Sequence, residues 1–198
     1  MNKVKKIIEY IFVLLCLLII FLNFSTTDVK SKDTNVTWNG YSFVIWSLKC
    51  WDLGNHIDWK YSGSRYYDNV IDATNIWNNT TRSVSVGRLK SPFRKDTSST
   101  VCDITIKDYS KRDGKNGYAS INIFSYGTIK LNNYYLSDLS ETKVTAVIIH
   151  ELGHVMGISD NDYEDSIMYR YTPIVDTPQA RDRASLEYVL RRYTSIFG

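Results

Sequence analysis

Two histidines and a glutamate in the segment HELGH are the residues of this chain best suited to catalysis. His150 and His154 are four residues apart, so on a helix both imidazoles lie on one face and can hold one metal ion. Glu151 lies about 100° further round the helix, among apolar positions, where a carboxylate is costly to bury unless a cation faces it. The spacing therefore predicts a zinc site in which Glu151 acts as general base toward a metal-activated water.

A zinc site of this kind needs a third protein ligand, and the chain contains only three histidines. Gly157 stands three residues after His154, where a glycine can end the helix and reverse the chain. Asp160 follows, and its carboxylate is a suitable zinc ligand, so the pattern H-E-x-x-H-x-x-G-x-x-D favours it. Three other acids and the remaining histidine stay as alternatives: Asp162, Asp165, Glu187 and His56.

The segments HELGHVMGISD (150–160) and SIMY (166–169) resemble the zinc motif and Met-turn of the metzincin proteases, most of all their matrixin branch. An aspartate as the third ligand is similar to the variant of the small bacterial snapalysins. The resemblance implies that Glu151 is the general base and that Met168 forms a hydrophobic floor under the metal, although core packing also explains this methionine. It implies three ligands for one catalytic zinc: His150, His154 and Asp160.

The resemblance covers roughly residues 50–195, although only residues 150–169 are specific. It implies a zinc-dependent endopeptidase with protein or peptide substrates, whose substrate pocket is formed by Tyr169, Tyr171 and Thr172. The implied fold is α+β (α/β-like), a metzincin-type catalytic domain. It has a twisted, mostly parallel sheet with two packed helices, an active-site helix, a Met-turn and a C-terminal helix. The alternative function is a non-catalytic, metal-stabilised extracytoplasmic binding domain.

The elements that position the motif are predicted from hydrophobic periodicity. The motif helix runs from about Ser140 to Met156 and carries a buried apolar stripe. An earlier helix is expected over residues 64–79 with Ser64 as its N-cap, and a last helix begins near Thr177, which is expected to cap it. Strand-like segments are 41–51, 56–63, 83–89, 101–109 and 127–133, and the polar segment 111–120 is expected to be a loop. This order of elements indicates a sheet covered by two helices.

Length and charge restrict the class of protein. The chain has 198 residues, of which 43% are hydrophobic and 23% charged, which is typical of a globular domain with a core. Its net charge is +3, and residues 1–27 (three lysines and one glutamate) contribute +2 of it, which leaves about +1. A nearly neutral domain has no basic surface for nucleic acid, so we expect a protein or peptide partner and a monomer.

Residues 1–27 are predicted to be a signal peptide or an N-terminal membrane anchor. Lysines precede an apolar run from Ile11 to Leu22, whose length is typical of a signal-peptide core, and an uncleaved anchor is the alternative. Leading lysines keep the N-terminus inside, so we expect a secreted or membrane-anchored protein whose working domain is outside the cytoplasm. Residues 28–49 are expected to be a linker and residues 50–198 the catalytic domain.

Two cysteines follow the apolar segment, Cys50 and Cys102. In an exported domain they most simply form one disulfide, the alternatives being free thiols or Cys50 as an inhibitory zinc ligand. The loop DYSKRDGKNG (108–117) offers oxygen ligands for Ca²⁺, although a solvated turn also explains its composition. The sequence does not determine the substrate or the cleavage specificity.

Overall fold

The computed structural model describes residues 33–45, 56–84, 91–96, 102–122 and 125–197. The predictions made for residues 1–27, and those that involve Cys50, lie outside these ranges. Within them, no helix combines the length and the hydropathy that a membrane span requires.

The described residues form seven strands and four helices. The strands are β1 Thr34–Trp38, β2 Tyr41–Ile45, β3 Ile57–Tyr61, β4 Phe93–Lys95, β5 Ile104–Tyr109, β6 Gly117–Asn122 and β7 Ser125–Asn132. The helices are α1 Tyr67–Val84, α2 Asn133–Leu136, α3 Glu141–Val155 and α4 Ala180–Phe197.

The central sheet has five strands in the order β4-β3-β5-β7-β6. Strand β3 pairs in parallel with β4 and β5, and β5 pairs in parallel with β7. Strand β6 is antiparallel to β7 and forms the edge that contacts α3. The predicted α+β domain with a mostly parallel sheet is confirmed.

One face of this sheet is buried against helices. Alternate residues of its central strands form that face, each at most 2% exposed: Ile57, Trp59, Ile104, Ile106, Ile129 and Leu131. Helices α1 and α3 pack on each other, and the Trp77 indole N–H donates to the Ile149 carbonyl at 2.8 Å. Burial of each large side chain contributes about 1.5–3 kcal/mol, so the helix that carries the motif rests on a dense core.

The start of α1 lies three residues later than predicted, because tertiary hydrogen bonds hold the residues that precede it. Ser64 was expected to cap the helix, but its backbone N–H and that of Arg65 donate to Asp108 of β5 at 3.1 and 3.4 Å. The hydroxyl of Tyr61 accepts the N–H of Tyr66 at 2.8 Å and donates to Asp108 at 2.6 Å. Burial and that bond to Asp108 raise the pKa of Tyr61 to about 12, so the hydroxyl stays protonated.

Two further predictions are wrong for parts of the chain. The segment 111–120 was expected to be a loop, but Gly117 begins strand β6, whose alternation is short, with Ala119 and Ile121 packed against the core between polar residues. The strand expected over residues 83–89 is wrong for Val84, which ends α1. Residues 85–89 of that segment lie outside the described part of the chain.

Residues 34–45, within the segment 28–49 that was predicted to be a linker or N-terminal segment, form an antiparallel hairpin. Asn39 and Gly40 take positive φ angles of 50° and 79°, as a two-residue hairpin turn requires. Phe43 and Ile45 are buried at 3% and 1% exposure. The Asn-Gly pair between apolar residues is the sequence signal that indicates this hairpin.

Candidate metal centre

Helix α3 carries the predicted motif, and local signals set both of its ends. The Ser140 hydroxyl caps the helix by accepting the backbone N–H of Lys143, and Met156 is the C-cap. Gly157 follows with a φ of 94°, which a residue with a side chain rarely adopts. The predicted helix from Ser140 to Met156 is therefore confirmed.

Backbone carbonyls orient both histidines. The Nδ1 atom of His150 lies 2.9 Å from the Ile167 carbonyl, and the Nδ1 atom of His154 lies 2.9 Å from the Ile158 carbonyl. A carbonyl oxygen only accepts, so each Nδ1 carries a proton. Each Nε2 faces the other ligand atoms, where it would donate to Asp160 when protonated and would bind a metal through its lone pair once that proton has left. Carbonyls that fix the tautomer in this way are the usual partners of metal-binding histidines.

The structure brings His150, His154 and Asp160 together. The two Nε2 atoms are 3.1 Å apart, and Asp160 Oδ1 lies 3.1 Å from His150 Nε2 and 3.4 Å from His154 Nε2. Bonds of about 2.0–2.1 Å in a tetrahedral zinc site place ligand atoms about 3.3 Å apart, so these three residues fit the metal. Among the residues that the structure describes, no second group of three His, Cys, Asp or Glu side chains converges in this way.

The alternative third ligands do not join this group. Asp162 pairs with Arg170 at 2.5 Å, and Asp165 pairs with an arginine of α4 at 3.2 Å. Glu187 lies on α4 and accepts a hydrogen bond from the β1–β2 hairpin. His56 directly precedes β3. Asp160 is therefore the acid that the fold places beside the histidines.

The two histidines determine the charge of Asp160, whose side chain is 48% exposed. Burial alone would raise the pKa of this carboxyl, but hydrogen bonds from His150 and His154 hold it well below its usual range. The carboxylate is thus ionised where a cation would bind.

Glu151 is 5% exposed and lies next to the ligand triangle. Burial raises the pKa of this carboxyl to about 7, against the opposing effect of His150. The backbone N–H of Ala119 on β6 donates a hydrogen bond to this carboxylate. Gly117 also lies close to it, since a Cβ at this position would be 3.1 Å from the Oε1 atom of Glu151. The Oε2 atom is buried without a hydrogen-bond partner within the described ranges. A carboxylate with an unsatisfied buried oxygen is suited to accept a proton from a bound water.

Met168 is fully buried and packs directly against α3. A Cβ at Gly153 would overlap its sulfur atom, so this glycine allows the Met-turn to approach the helix one residue before His154. The backbone N–H of Asn161 donates to the Met168 carbonyl at 2.9 Å, which ties the Asp160 loop to the turn.

Asp182 holds the Met-turn in place, and the sequence analysis missed it. Its carboxylate accepts the Ser166 hydroxyl at 2.5 Å, the Ile167 N–H at 2.9 Å and the Gln179 N–H at 2.7 Å. Burial raises the pKa of Asp182, and these hydrogen bonds oppose the rise. The bond to Gln179 caps α4 from inside, so the prediction that Thr177 caps this helix is wrong. An acid in the first turn of a helix is the signal that could have indicated this role.

A cleft of about 440 Å³ opens over the triangle. Tyr171 and Thr172, which were expected to form the substrate pocket, line this cleft. Tyr169 does not, because its ring packs against Tyr171 with centroids 5.4 Å apart. The opposite wall comes from the segment Gly114–Ala119, which the sequence analysis did not assign to the site.

The remaining predicted sites receive no support from the geometry. In the loop proposed for Ca²⁺, the carboxylate of Asp113 accepts N–H groups of Lys115 and Asn132, so it is engaged with hydrogen-bond donors. Cys102 is buried with a free thiol. Because Cys50 lies outside the described residues, its predicted disulfide with Cys102 stays a prediction.

The family model described as matrixin (peptidase M10) matches residues 51–184. A search of curated proteins finds no match. Among solved structures, the "GM1 bound form of the ECX AB5 holotoxin" is similar, with a TM-score of 0.50 and 14% identity, over 70% of this chain and 81% of that chain. At this identity the likeness concerns the fold alone.

Proposed function

The chain belongs to the matrixin family of zinc metalloproteases, and on this premise we propose that it is an endopeptidase that cleaves proteins by activating water. One observation carries the proposal. The unsatisfied Oε2 atom of Glu151 is buried beside a triangle of three convergent ligand atoms.

The metal would be held by His150, His154 and Asp160. A zinc ion bound there would supply Lewis acidity, which would polarise a substrate carbonyl and lower the pKa of a water molecule. Three protein ligands are the number found in catalytic zinc sites, whereas structural zinc sites have four.

Glu151 moves the proton in this proposal. Its raised pKa, about 7, lies near the pH at which a general base works best, because the group is both available and basic enough. The carboxylate takes a proton from the attacking water and returns it to the leaving amine. The hydrogen bond from the Ala119 N–H orients the Glu151 carboxylate during this proton transfer.

Strand β6 offers a place for the substrate chain. It is the edge strand of the sheet and borders the cleft through Gly117, Tyr118 and Ala119. An extended peptide can add to such an edge by backbone hydrogen bonds, which favours cleavage of unfolded or loop segments.

A non-catalytic, metal-stabilised binding domain is the alternative function. It does not explain why a carboxylate is buried next to the triangle, since a closed structural site has four protein ligands and needs no such acid. Hydrolysis therefore separates the two functions.

The test is cleavage of casein by the full chain, with and without a chelator. We expect hydrolysis that the chelator abolishes and added zinc restores. Glu151→Gln should retain zinc and lose activity by at least about 10²–10⁴-fold, since it removes the general base. The exposed acid Glu164 is the matched control, and Glu164→Gln should keep full activity. A Glu151→Gln variant that still hydrolyses casein would remove this assignment.

We also propose that the domain works outside the cytoplasm, either secreted or held at a membrane. The support is the lysine-led apolar segment from Ile11 to Leu22. Fractionation of cells that express the full chain tests this proposal, and a protein found only in the cytoplasm would overturn it.

A further inference from the structure

The β1–β2 hairpin reaches the loop that carries Asp160. Ile45 and Ile158 form an antiparallel bridge, and the Ser159 N–H donates to the Val44 carbonyl at 3.0 Å. The Ser159 hydroxyl donates to the Asp33 carboxylate at 2.9 Å. One backbone bridge, which includes the bond from Ser159 to Val44, and one side-chain hydrogen bond thus fix the two residues that precede Asp160.

Asp160 is held from both sides, although its own side chain is half exposed and no helix or strand contains it. On one side is the hairpin, through Ser159, and on the other is the Met-turn, through Asn161. Ile158 is the residue that forms the bridge with the hairpin, and its carbonyl also orients His154. The hairpin therefore supports two of the three ligand positions.

The hairpin is itself firmly anchored on α4. Its Trp38 and Phe43 rings pack edge-on against Tyr188, with centroids 5.7 and 5.9 Å apart. Arg181 donates to the Ser42 carbonyl at 2.9 Å. A segment packed in this way is a rigid support for a loop rather than a loose N-terminal extension.

We propose that the β1–β2 hairpin is a positioning element of the metal centre, in which Asp33 and Ser159 are positioning residues that fix Asp160 for metal binding. The proposal rests on the metal site of the proposed function. A loop ligand without support loses conformational freedom when the metal binds, and this weakens the affinity. Residues that orient a ligand typically contribute about 10–100-fold to metal affinity.

The zinc affinity of the full chain, measured by competition with a chromophoric chelator, tests this role without reference to catalysis. Asp33→Ala and Ser159→Ala should each weaken zinc binding by about tenfold. Asp33→Asn keeps an acceptor oxygen for Ser159 and should bind zinc nearly as the wild type does. Asn39→Gly is the matched control, because it removes the hairpin's 2.9 Å hydrogen bond to Glu187 at the turn and still allows the positive φ angle that the turn requires. Unchanged affinity in both alanine variants would overturn the proposal, and so would an equal loss in Asp33→Asn, which would indicate a charge effect.

A double-mutant cycle shows whether the effect passes through Asp160. In an Asp160→Ala background, Asp33→Ala should cause no further loss of zinc affinity, because the ligand that it positions is gone. Additive losses would mean general destabilisation and would contradict the proposed role.

The positioning role of the hairpin and the proposed protease function can be overturned by different results. A wild-type protein without zinc affinity would overturn both of them. A protein that binds zinc in an Asp33-dependent way but does not cleave casein would sink the protease proposal alone.

Discussion

Glu151 is the residue whose ionisation the folded protein opposes. In the metal-free protein it is buried, one of its oxygens has no partner among the described residues, and its pKa is raised to about 7. A carboxyl whose pKa rises on folding stabilises the fold fully below its unfolded pKa, near 4.5, and this contribution is lost as the pH rises through about 7. The proposed use of this acid as a general base thus has a cost in stability at neutral and alkaline pH.

We therefore expect Glu151→Gln to be more stable than the wild type at pH 8.5 when both are metal-free. The difference in the free energy of unfolding should approach about 3 kcal/mol, because the pKa of Glu151 rises from 4.5 to about 7 on folding. It should vanish near pH 4.5. Urea unfolding in the presence of a chelator at both pH values measures it. Glu164→Gln, a change at an exposed acid, should follow the wild type, and a constant offset for Glu151→Gln at both pH values would contradict the expectation.

Single residues could be predicted from the sequence only where the spacing is local. His150 and His154 follow from helical geometry, and Gly157 follows from its conformational freedom. The sequence favoured Asp160 but left the nearby acids Asp162 and Asp165 as alternatives. Asp162 and Asp165 are each paired with an arginine, and the arginine that pairs with Asp165 lies on α4, later in the chain.

At the scale of elements, the approach of the Met-turn to α3 depends on Gly153. Gly153→Ala should lower the free energy of unfolding, because the added methyl overlaps Met168. Overpacking costs about 1–3 kcal/mol, partly offset by about 1 kcal/mol of helix propensity. Urea midpoints measure the loss. In a Met168→Ala background the same change should cost less, and an unchanged cost there would show that Met168 is not the obstacle.

The junction between α4 and the Met-turn depends on the carboxylate of Asp182. Asp182→Asn should cost about 1–3 kcal/mol, because one acceptor oxygen becomes a donor. Ser166 Oγ already accepts the amide of Asn161 at 2.9 Å and the N–H of Met168 at 3.0 Å, so it cannot accommodate another donor. Chemical unfolding measures the loss. Asp165→Asn, at a side chain 66% exposed, should stay within about 0.5 kcal/mol, and equal effects of the two variants would argue against the junction.

Elements were predictable where their signals are carried by their own residues. Helix α3 has Ser140 before it and Gly157 after it, and both ends were found. The starts of α1 and α4 were misplaced, because Asp108 of β5 holds the residues that precede α1, and Asp182 caps α4 from inside the helix. Strand β6 was missed because its apolar alternation is limited to Ala119 and Ile121 and begins within a polar segment.

At the scale of the whole molecule, a metal at this site would connect α3 to the loop that follows it and, through that loop, to the hairpin. A ligand that binds only the folded state stabilises it, by about 2.7 kcal/mol at a concentration 100-fold above Kd. Removal of zinc should lower Tm by about 5–10 °C, as measured by calorimetry. The shift in Tm should be smaller in Asp160→Ala. A wild-type Tm that does not change when the chelator is added would contradict a metal centre.

The contact between Asp33 and Ser159 also affects when the protein can become active. Their positions are 126 residues apart, and the hairpin's bond from Asn39 to Glu187 spans 148. Contacts this far apart in sequence form slowly, because a long loop must close first. During synthesis the hairpin emerges well before its partners exist. The support of the ligand loop is therefore complete only after α4 has been synthesised, so the order of synthesis by itself would delay assembly of the metal centre.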